Sequence, residues 1–184
     1  PQFDQHINYK KYIFSRSEFC RKFNIPENKK IILFISGASY SEDEPDILQE
    51  ISRWIKSGKF SSPAHILLRP YVIMRDKERE ELKYKVLIDD PNVSFNWFKV
   101  GEPDYRAVYY SMYHYADAVI SIFSTTAIEA AMYDKPTLTI GFDGYQKRPY
   151  HQSIKRLEDM SHFKHVLETG SVKVIRSFDD LYQN

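Results

Sequence analysis

Residues 116–143 constrain the fold more than any other part of the chain, because their pattern is strand, turn, helix, strand. Residues 118–122 form a short apolar run rich in β-branched side chains, which is typical of a buried strand. Pro136 ends the helical pattern, and residues 137–142 form a second apolar, β-branched run. The segment therefore predicts a βαβ unit whose helix begins directly after a strand.

Three hydroxyl residues stand where the first of these strands gives way to the helix. Ser124, Thr125 and Thr126 suit a helix start because their oxygens accept hydrogen bonds from amides that lack partners there. Thr126 and Glu129 have the spacing of a capping box. The expected inner face of the helix carries Ile128, Ala131 and Met132. Two interpretations remain open: an ordinary capped helix start, and a phosphate site in which free amides and the helix dipole point at the anion.

The rest of the chain alternates between apolar runs and helical patterns. Further strands are predicted at 31–35, 65–68, 92–96 and 172–175, and helices at about 17–23, 42–56, 75–86, 103–115, 153–167 and from 177. The highly charged segment 75–86 is expected to be solvated. The alternation predicts an α/β, Rossmann-like, doubly wound and mostly parallel six-stranded sheet with helices on both faces. Residues 1–14 are interpreted as a linker and residues 15–184 as one domain.

Composition excludes several classes of function. The net charge of +1 gives no electrostatic signature of nucleic-acid binding. No apolar run reaches the roughly 20 residues of a membrane-spanning helix, so a cytoplasmic protein is expected. The single cysteine, Cys20, leaves no internal disulfide or cysteine-rich metal site. His162 and His165 lack matching ligands, so no metal is expected. No Gly-x-Gly-x-x-Gly follows the first strand, which argues against a dehydrogenase.

The predicted strand ends carry a set of polar residues. In a parallel sheet, ligands bind at the carboxyl ends of the strands, near the point where the strand order reverses. The residues at these ends are Gly37, Arg69, Asn96, Trp97, Ser124, Thr125, Thr126 and Asp143. They combine a small-residue loop, a cation, an aromatic ring, hydroxyls and a carboxylate. This set suits a nucleoside diphosphate better than an apolar ligand.

Three blocks of sequence, in this order, resemble the donor-binding half of GT-B glycosyltransferases. They are SEFCRKFNIPENKKIILFISG, HILLRPYV and ADAVISIFSTTAIEAAMYDKPTLTIGFD. The nearest resemblance is to bacterial surface-polysaccharide enzymes, including CDP-glycerol glycerophosphotransferases, and to UDP-N-acetylglucosamine 2-epimerases. The sequence departs from these relatives at Thr125 and Thr126, where many have glycine, and at Tyr71, where they often have histidine.

The resemblance implies roles for the residues that follow the fourth strand. Ser124, Thr125 and Thr126 hold the donor diphosphate at the helix N-terminus, where negative charge on the leaving group needs stabilisation. Glu129, about one turn later, accepts hydrogen bonds from ribose hydroxyls. The alternative role for Glu129 is that of capping-box partner.

The resemblance also implies roles at the other strand ends. Gly37 allows backbone contact with the diphosphate, or is a plain turn glycine. Arg69 pairs with a phosphate, or is a surface ion-pair partner. Asn96 and Trp97 contact the base, with a core or lid position for the ring as the alternative. Asp143 contacts the sugar, or stabilises a turn.

The expected activity is transfer from a nucleotide-activated sugar or glycerol donor to a glycan acceptor in polysaccharide synthesis, with no cofactor. The resemblance implies that the acceptor binds an N-terminal domain of the GT-B fold, and we expect this sequence to contain only the other half. The chain alone is therefore expected to bind nucleotide without transferring sugar, and the missing half to place the protein at the inner membrane face. Two alternatives remain: a nucleotide-sugar 2-epimerase using Glu129, Asp143 and His151, and a non-catalytic docking module.

Overall fold

The computed structural model describes residues 6–37, 40–71 and 77–184. Its strands are β1 (Lys30–Ile35), β2 (Ala64–Arg69), β3 (Val93–Phe95), β4 (Ala118–Ser121), β5 (Thr137–Ile140) and β6 (Lys173–Ile175). They form one six-stranded sheet in the order β3-β2-β1-β4-β5-β6. All five neighbouring pairs are parallel. The predicted Rossmann-like α/β fold is confirmed, and the strand order reverses between β1 and β4.

Helices connect the strands and cover both faces of the sheet. They are α1 (Arg16–Lys22), α2 (Glu44–Lys56), α3 (Lys77–Lys83), α4 (Tyr105–Tyr115), α5 (Thr126–Ala131), α6 (Ser161–Glu168) and α7 (Phe178–Gln183). Short 3-10 helices lie at Tyr9–Lys11, Lys85–Leu87 and Ile154–Asp159. Among the described residues, no helix has the length and apolar character needed to cross a bilayer.

The core lies on both sides of the sheet because consecutive strand residues point to opposite faces. On one face, Ile31 and Leu33 of β1 pack with Phe19 of α1 and with α4. On the other face, Phe34 packs with Ile47 and other residues of α2. A strand covered on both faces must be apolar throughout, which explains the continuous apolar run at β1.

The charged segment after β2 differs from its prediction. Residues 72–76 lie outside the described ranges, as do residues 38–39 of the loop after β1. The segment is solvated on one face, where Lys77, Glu78 and Arg79 are exposed, but its other face is not, since Glu80 is 3% exposed and Tyr84 is fully buried. The buried face of α5 is also displaced from its prediction. Ala127 and Ala130 point inward, whereas Met132 is exposed.

The described part of the segment 1–14 packs against the domain. The Phe14 amide donates to Ser111 Oγ at 2.9 Å, and the Tyr115 hydroxyl donates to the Phe14 carbonyl at 2.6 Å. Tyr9 contacts the ring of Tyr133, with 4.4 Å between the ring centroids. Residues 1–5 lie outside the described ranges.

Candidate functional site

The parallel sheet brings the predicted strand ends to one edge. Gly37 follows β1, Arg69 ends β2, and Ser124 follows β4, so these residues belong to three adjacent strands. The reversal of strand order between β1 and β4 lies in the middle of this edge, where open α/β sheets form their ligand crevice.

Glu129 is held by two tyrosines of α4. The hydroxyls of Tyr109 and Tyr113 both donate to Glu129 Oε2, at 2.5 and 2.6 Å. No other described residue donates to this half-buried carboxylate, so Oε1 remains available as an acceptor. The alternative role of Glu129 as capping-box partner of Thr126 is wrong. The N-cap of α5 is Thr125, which makes no side-chain capping bond, and the Glu129 carboxylate turns towards α4 instead.

Both tyrosines remain neutral donors at physiological pH. Burial, and then the negative charge of Glu129, raise the pKa of Tyr109 well above its usual range. Burial is also the main cause that raises the pKa of Tyr113, followed by the charges of Tyr109 and Glu129.

Arg69 lies against the same tyrosines. Its guanidinium carbon is 5.0 Å from the centroid of the Tyr109 ring, within the range of a cation–π contact. One of its nitrogens donates to the Tyr105 hydroxyl at 3.2 Å. Within the part of the chain that the structure describes, Arg69 forms no ion pair with a carboxylate. We refer to Arg69, Tyr105, Tyr109, Tyr113 and Glu129 as the Glu129 cluster.

The hydroxyl residues after β4 form the start of α5. Ser124 Oγ accepts a hydrogen bond from the Thr126 amide at 3.3 Å and lies 3.1 Å from Thr126 Oγ1. Ser124 therefore supplies the local cap that the sequence assigned to Thr126. Thr125 is exposed at the carboxyl edge of the sheet, whereas Thr126 is buried.

Gly37 is required for packing. A Cβ atom at this position would lie 2.1 Å from Cδ1 and 2.7 Å from Cγ1 of Ile122, so any side chain here would force Ile122 to shift where the exits of β1 and β4 meet. The Gly37 amide donates to Glu44 Oε1 at 2.7 Å. Its single backbone donor is thus engaged within the protein.

Asn96 and Trp97 are engaged in packing at the exit of β3. Asn96 is 2% exposed, and its Oδ1 accepts from the Phe98 amide at 3.1 Å. The Trp97 ring stacks on Phe95, with 5.3 Å between the centroids and 1° between the planes.

Asp143 stabilises the loop that follows β5. Its carboxylate accepts from Ser153 Oγ at 2.6 Å and from the Ile154 amide at 2.8 Å. These bonds fix the start of the 3-10 helix at Ile154–Asp159, and Asp143 is 8% exposed. Its contacts are those of a turn-stabilising carboxylate.

A second carboxylate cluster, which the sequence analysis missed, lies behind the exit of β1. Glu44 is fully buried. Its Oε2 accepts from Lys83 Nζ at 2.6 Å, from the Tyr84 hydroxyl at 2.6 Å and from Ser36 Oγ at 2.9 Å. Lys83 is 5% exposed, so this is a buried ion pair.

Glu80 is the second buried carboxylate of this group. Its Oε2 lies 3.4 Å from Ser36 Oγ, and burial raises its pKa. The helical spacing of Glu80, Lys83 and Tyr84 is the sequence signal that places these three side chains on one face. We refer to Ser36, Glu44, Glu80, Lys83 and Tyr84 as the Glu44 cluster.

The described residues contain no group of three or more histidine, cysteine, aspartate or glutamate side chains suited to a metal ion. His165 Nδ1 lies 3.2 Å from Glu168 Oε2 at the surface. The side chain of His162 lies outside the description.

No protein-family model matches the sequence, and no curated protein matches it. Solved structures are similar in fold. MnaA of S. aureus, solved with UDP, is 15% identical with a TM-score of 0.57, covering 97% of this chain and 42% of that one. The Neisseria meningitidis UDP-GlcNAc 2-epimerase bound to UDP-GlcNAc is 15% identical with a TM-score of 0.51, covering 88% and 36%. A Veillonella parvula glycosyl transferase of family 9 is 11% identical with a TM-score of 0.51, covering 91% and 42%.

These similarities establish the fold. The chain has the Rossmann-like architecture found in one half of GT-B glycosyltransferases and UDP-GlcNAc 2-epimerases. It spans less than half the length of each of these three solved structures.

Proposed function

We propose that this chain binds the nucleoside diphosphate part of an activated sugar or glycerol donor, as the donor-binding domain of a glycosyltransferase or glycerophosphotransferase of surface polysaccharide synthesis. The nucleotide lies across the carboxyl ends of β1, β2 and β4. An acceptor hydroxyl attacks the donor, and the nucleotide leaves with the electrons of the broken bond. This chain holds the leaving group while negative charge develops on it.

The observation that carries the proposal is the Glu129 cluster at the edge where the strand order reverses. Glu129 presents a carboxylate oxygen to accept from ribose hydroxyls. Arg69 presents a cation without a carboxylate partner among the described residues, and Ser124 and Thr125 present hydroxyls. A carboxylate that accepts from hydroxyls suits the ribose of a nucleoside diphosphate, and a neighbouring cation suits its phosphates.

In this proposal Ser124, Thr125, Thr126 and Arg69 face the phosphates, and Glu129 faces the ribose. Gly37 contributes by letting the exits of β1 and β4 approach each other. The fold supports the proposal, since similar solved structures hold UDP in MnaA and UDP-GlcNAc in the Neisseria epimerase.

Calorimetric titration of UDP, CDP and GDP tests the proposal. We expect one nucleotide to bind the wild type, and Glu129→Ala to weaken it by about tenfold or more, the scale of a hydrogen bond to a charged group. Glu27→Ala is the matched control, because Glu27 is exposed before β1 at the opposite edge of the sheet. Equal binding by wild type and Glu129→Ala contradicts the assignment. Failure of all three nucleotides to bind favours the docking module.

The epimerase is the second candidate, because a solved epimerase is as similar in fold as the glycosyl transferase, each with a TM-score of 0.51. Of its candidate acid and base groups, Asp143 is engaged with Ser153 and Ile154, and His151 is exposed. Incubation with UDP-GlcNAc tests the epimerase, since an epimerase inverts C2 without an acceptor, and formation of the epimer would favour it over the transferase. We expect the chain alone to give neither the epimer nor a transfer product.

A further inference from the structure

Tyr109 and Tyr113 do more than pack on α4. Both hydroxyls donate to the same oxygen of Glu129, at 2.5 and 2.6 Å. A carboxylate with one oxygen held by two donors has little freedom to rotate, and the other oxygen of Glu129 has no donor among the described residues. We propose that Tyr109 and Tyr113 are positioning residues. They hold the Glu129 carboxylate in a fixed orientation, in which it accepts hydrogen bonds from ribose hydroxyls. This inference rests on the proposed function.

The tyrosines are themselves fixed by the layer around them. Tyr113 stacks on Tyr133, with 5.2 Å between the centroids and 18° between the planes. Tyr109 meets the edge of Tyr113 at 5.4 Å and stacks on Tyr105 at 5.7 Å. His6 closes the layer, its ring lying 5.8 Å from that of Tyr109. Rings with so many contacts hold their hydroxyls at defined positions, which preorganises Glu129 before a ligand binds.

Tyr109 also connects the two polar ends of the site. Its hydroxyl binds Glu129, and its ring face carries the guanidinium of Arg69 at 5.0 Å. One rigid side chain therefore sets the spacing between an anion-binding cation and a hydroxyl-accepting carboxylate. A ligand that satisfies both must carry an anionic group and hydroxyls, as a ribonucleotide does with its phosphates and its ribose.

The hydrogen bonds of Glu129 determine which ligand groups it can bind. Both tyrosine hydroxyls donate to one of its oxygens, and no described residue donates to the other, which offers lone pairs to a ligand. A carboxylate accepts hydrogen bonds and does not donate them. It therefore binds ligand hydroxyls and forms no hydrogen bond at a position that lacks them. Loss of the ribose hydroxyls is therefore expected to weaken binding, and loss of the tyrosine hydroxyls to remove that discrimination.

The test compares a ribonucleotide with its 2′,3′-dideoxy counterpart. The nucleotide is the one of UDP, CDP and GDP that the wild type binds, and the measured quantity is the ratio of the two dissociation constants. We expect the wild type to prefer the ribonucleotide by about tenfold, as for a hydrogen bond to a charged group. In the Tyr109→Phe/Tyr113→Phe variant the ratio should fall to about threefold or less, because the freed carboxylate rotates. Packing damage alone would weaken both probes equally and leave the ratio unchanged.

Tyr115→Phe is the matched control, because its hydroxyl donates to the Phe14 carbonyl and does not contact Glu129. It should keep the wild-type ratio. If the double variant does not fold, the single variants Tyr109→Phe and Tyr113→Phe carry the test, each lowering the ratio in part. A wild-type ratio retained in the variants overturns the inference and leaves nucleotide binding intact. No binding of any nucleotide by the wild type overturns the proposed function as well.

Discussion

Two carboxylates at the same edge of the sheet have similar neighbouring side chains but differ in burial and in the pairing of their oxygens. Glu44 and Glu129 each accept a tyrosine hydroxyl, and each has a cation in its cluster. Glu44 is fully buried, and both of its oxygens have partners within the chain. Glu129 is half-buried, and both tyrosines bind the same oxygen.

The difference lies in where each cation is placed. Lys83 contacts the Glu44 carboxylate directly, so the two charges neutralise each other inside the protein. Arg69 instead lies on the ring of Tyr109, which separates the guanidinium from the Glu129 carboxylate. A paired cluster stabilises the fold, whereas charges kept apart remain available to a ligand. The variants below test this contrast.

The largest effect is expected from Lys83→Met. Removal of one partner of a buried ion pair leaves Glu44 charged without compensation, which should cost about 3–5 kcal/mol of unfolding free energy. Urea unfolding measures it. Lys77→Met is the control, since Lys77 pairs with Glu81 at the surface and should cost less than about 1 kcal/mol. Equal losses in the two variants would show that the Glu44 cluster does not stabilise the fold.

Isosteric glutamine variants compare the two carboxylates directly. Glu44→Gln removes the counter-charge of Lys83 and should cost roughly 2–3 kcal/mol in urea unfolding. Glu129→Gln should cost about 1 kcal/mol or less, because an amide oxygen still accepts from the tyrosines. Nucleotide binding, measured by calorimetry, should weaken in Glu129→Gln and stay unchanged in Glu44→Gln if that variant remains folded. Weaker nucleotide binding in Glu44→Gln, with binding retained in Glu129→Gln, would instead assign the nucleotide site to the Glu44 cluster.

Glu80→Gln is expected to stabilise the protein by roughly 1 kcal/mol at pH 7, because it removes a buried charge. Burial raises the pKa of Glu80, so its stabilising contribution is present below the unfolded pKa of about 4.5 and is lost as pH rises through the folded pKa. The gain from Glu80→Gln should therefore shrink as pH falls towards 4. Unfolding curves of the wild type and Glu80→Gln from pH 4 to 8 measure this gain in stability. A gain independent of pH would falsify its attribution to the buried charge of Glu80.

The smallest effect is expected from Ser124→Ala. It removes the long hydrogen bond to the Thr126 amide, so stability should fall by about 0.5 kcal/mol. If Ser124 also faces the phosphates, nucleotide affinity should fall by about threefold, the scale of a neutral hydrogen bond. Calorimetry measures the affinity, and Ser171→Ala is the control because Ser171 lies at the surface after α6. A loss of affinity in Ser124→Ala alone would indicate a contact between Ser124 and the nucleotide. An unchanged affinity would remove Ser124 from the site.

The architecture could be predicted from the sequence because each strand is a local pattern. The apolar run at β1 and the β-branched runs at β4 and β5 specify strands, and the intervening helices specify a parallel sheet. The carboxyl ends of parallel strands must lie at one edge of the sheet, which placed Arg69 and Ser124 on either side of β1.

The partners of Glu129 and Glu44 could not be predicted in this way, because they belong to tertiary structure. The spacing of Thr126 and Glu129 fits a capping box, but two hydroxyls from α4 compete for the carboxylate and bind it instead. The charges of α3 resemble a solvated surface until β1 and α2 bring Ser36 and Glu44 against them. Local pattern gives the helix, and only its neighbours decide which face is buried.

The strand order also affects the chain during its synthesis. β1 lies at the centre of the sheet, yet its partner β4 is made only after β2 and β3. At about 5–20 residues per second, Ile35 waits on the order of ten seconds for Ser121, with which it pairs. Until then an apolar strand keeps an unpaired edge, which is a template for association with another nascent chain. Translation speed between β1 and β4 should therefore affect the yield of soluble protein.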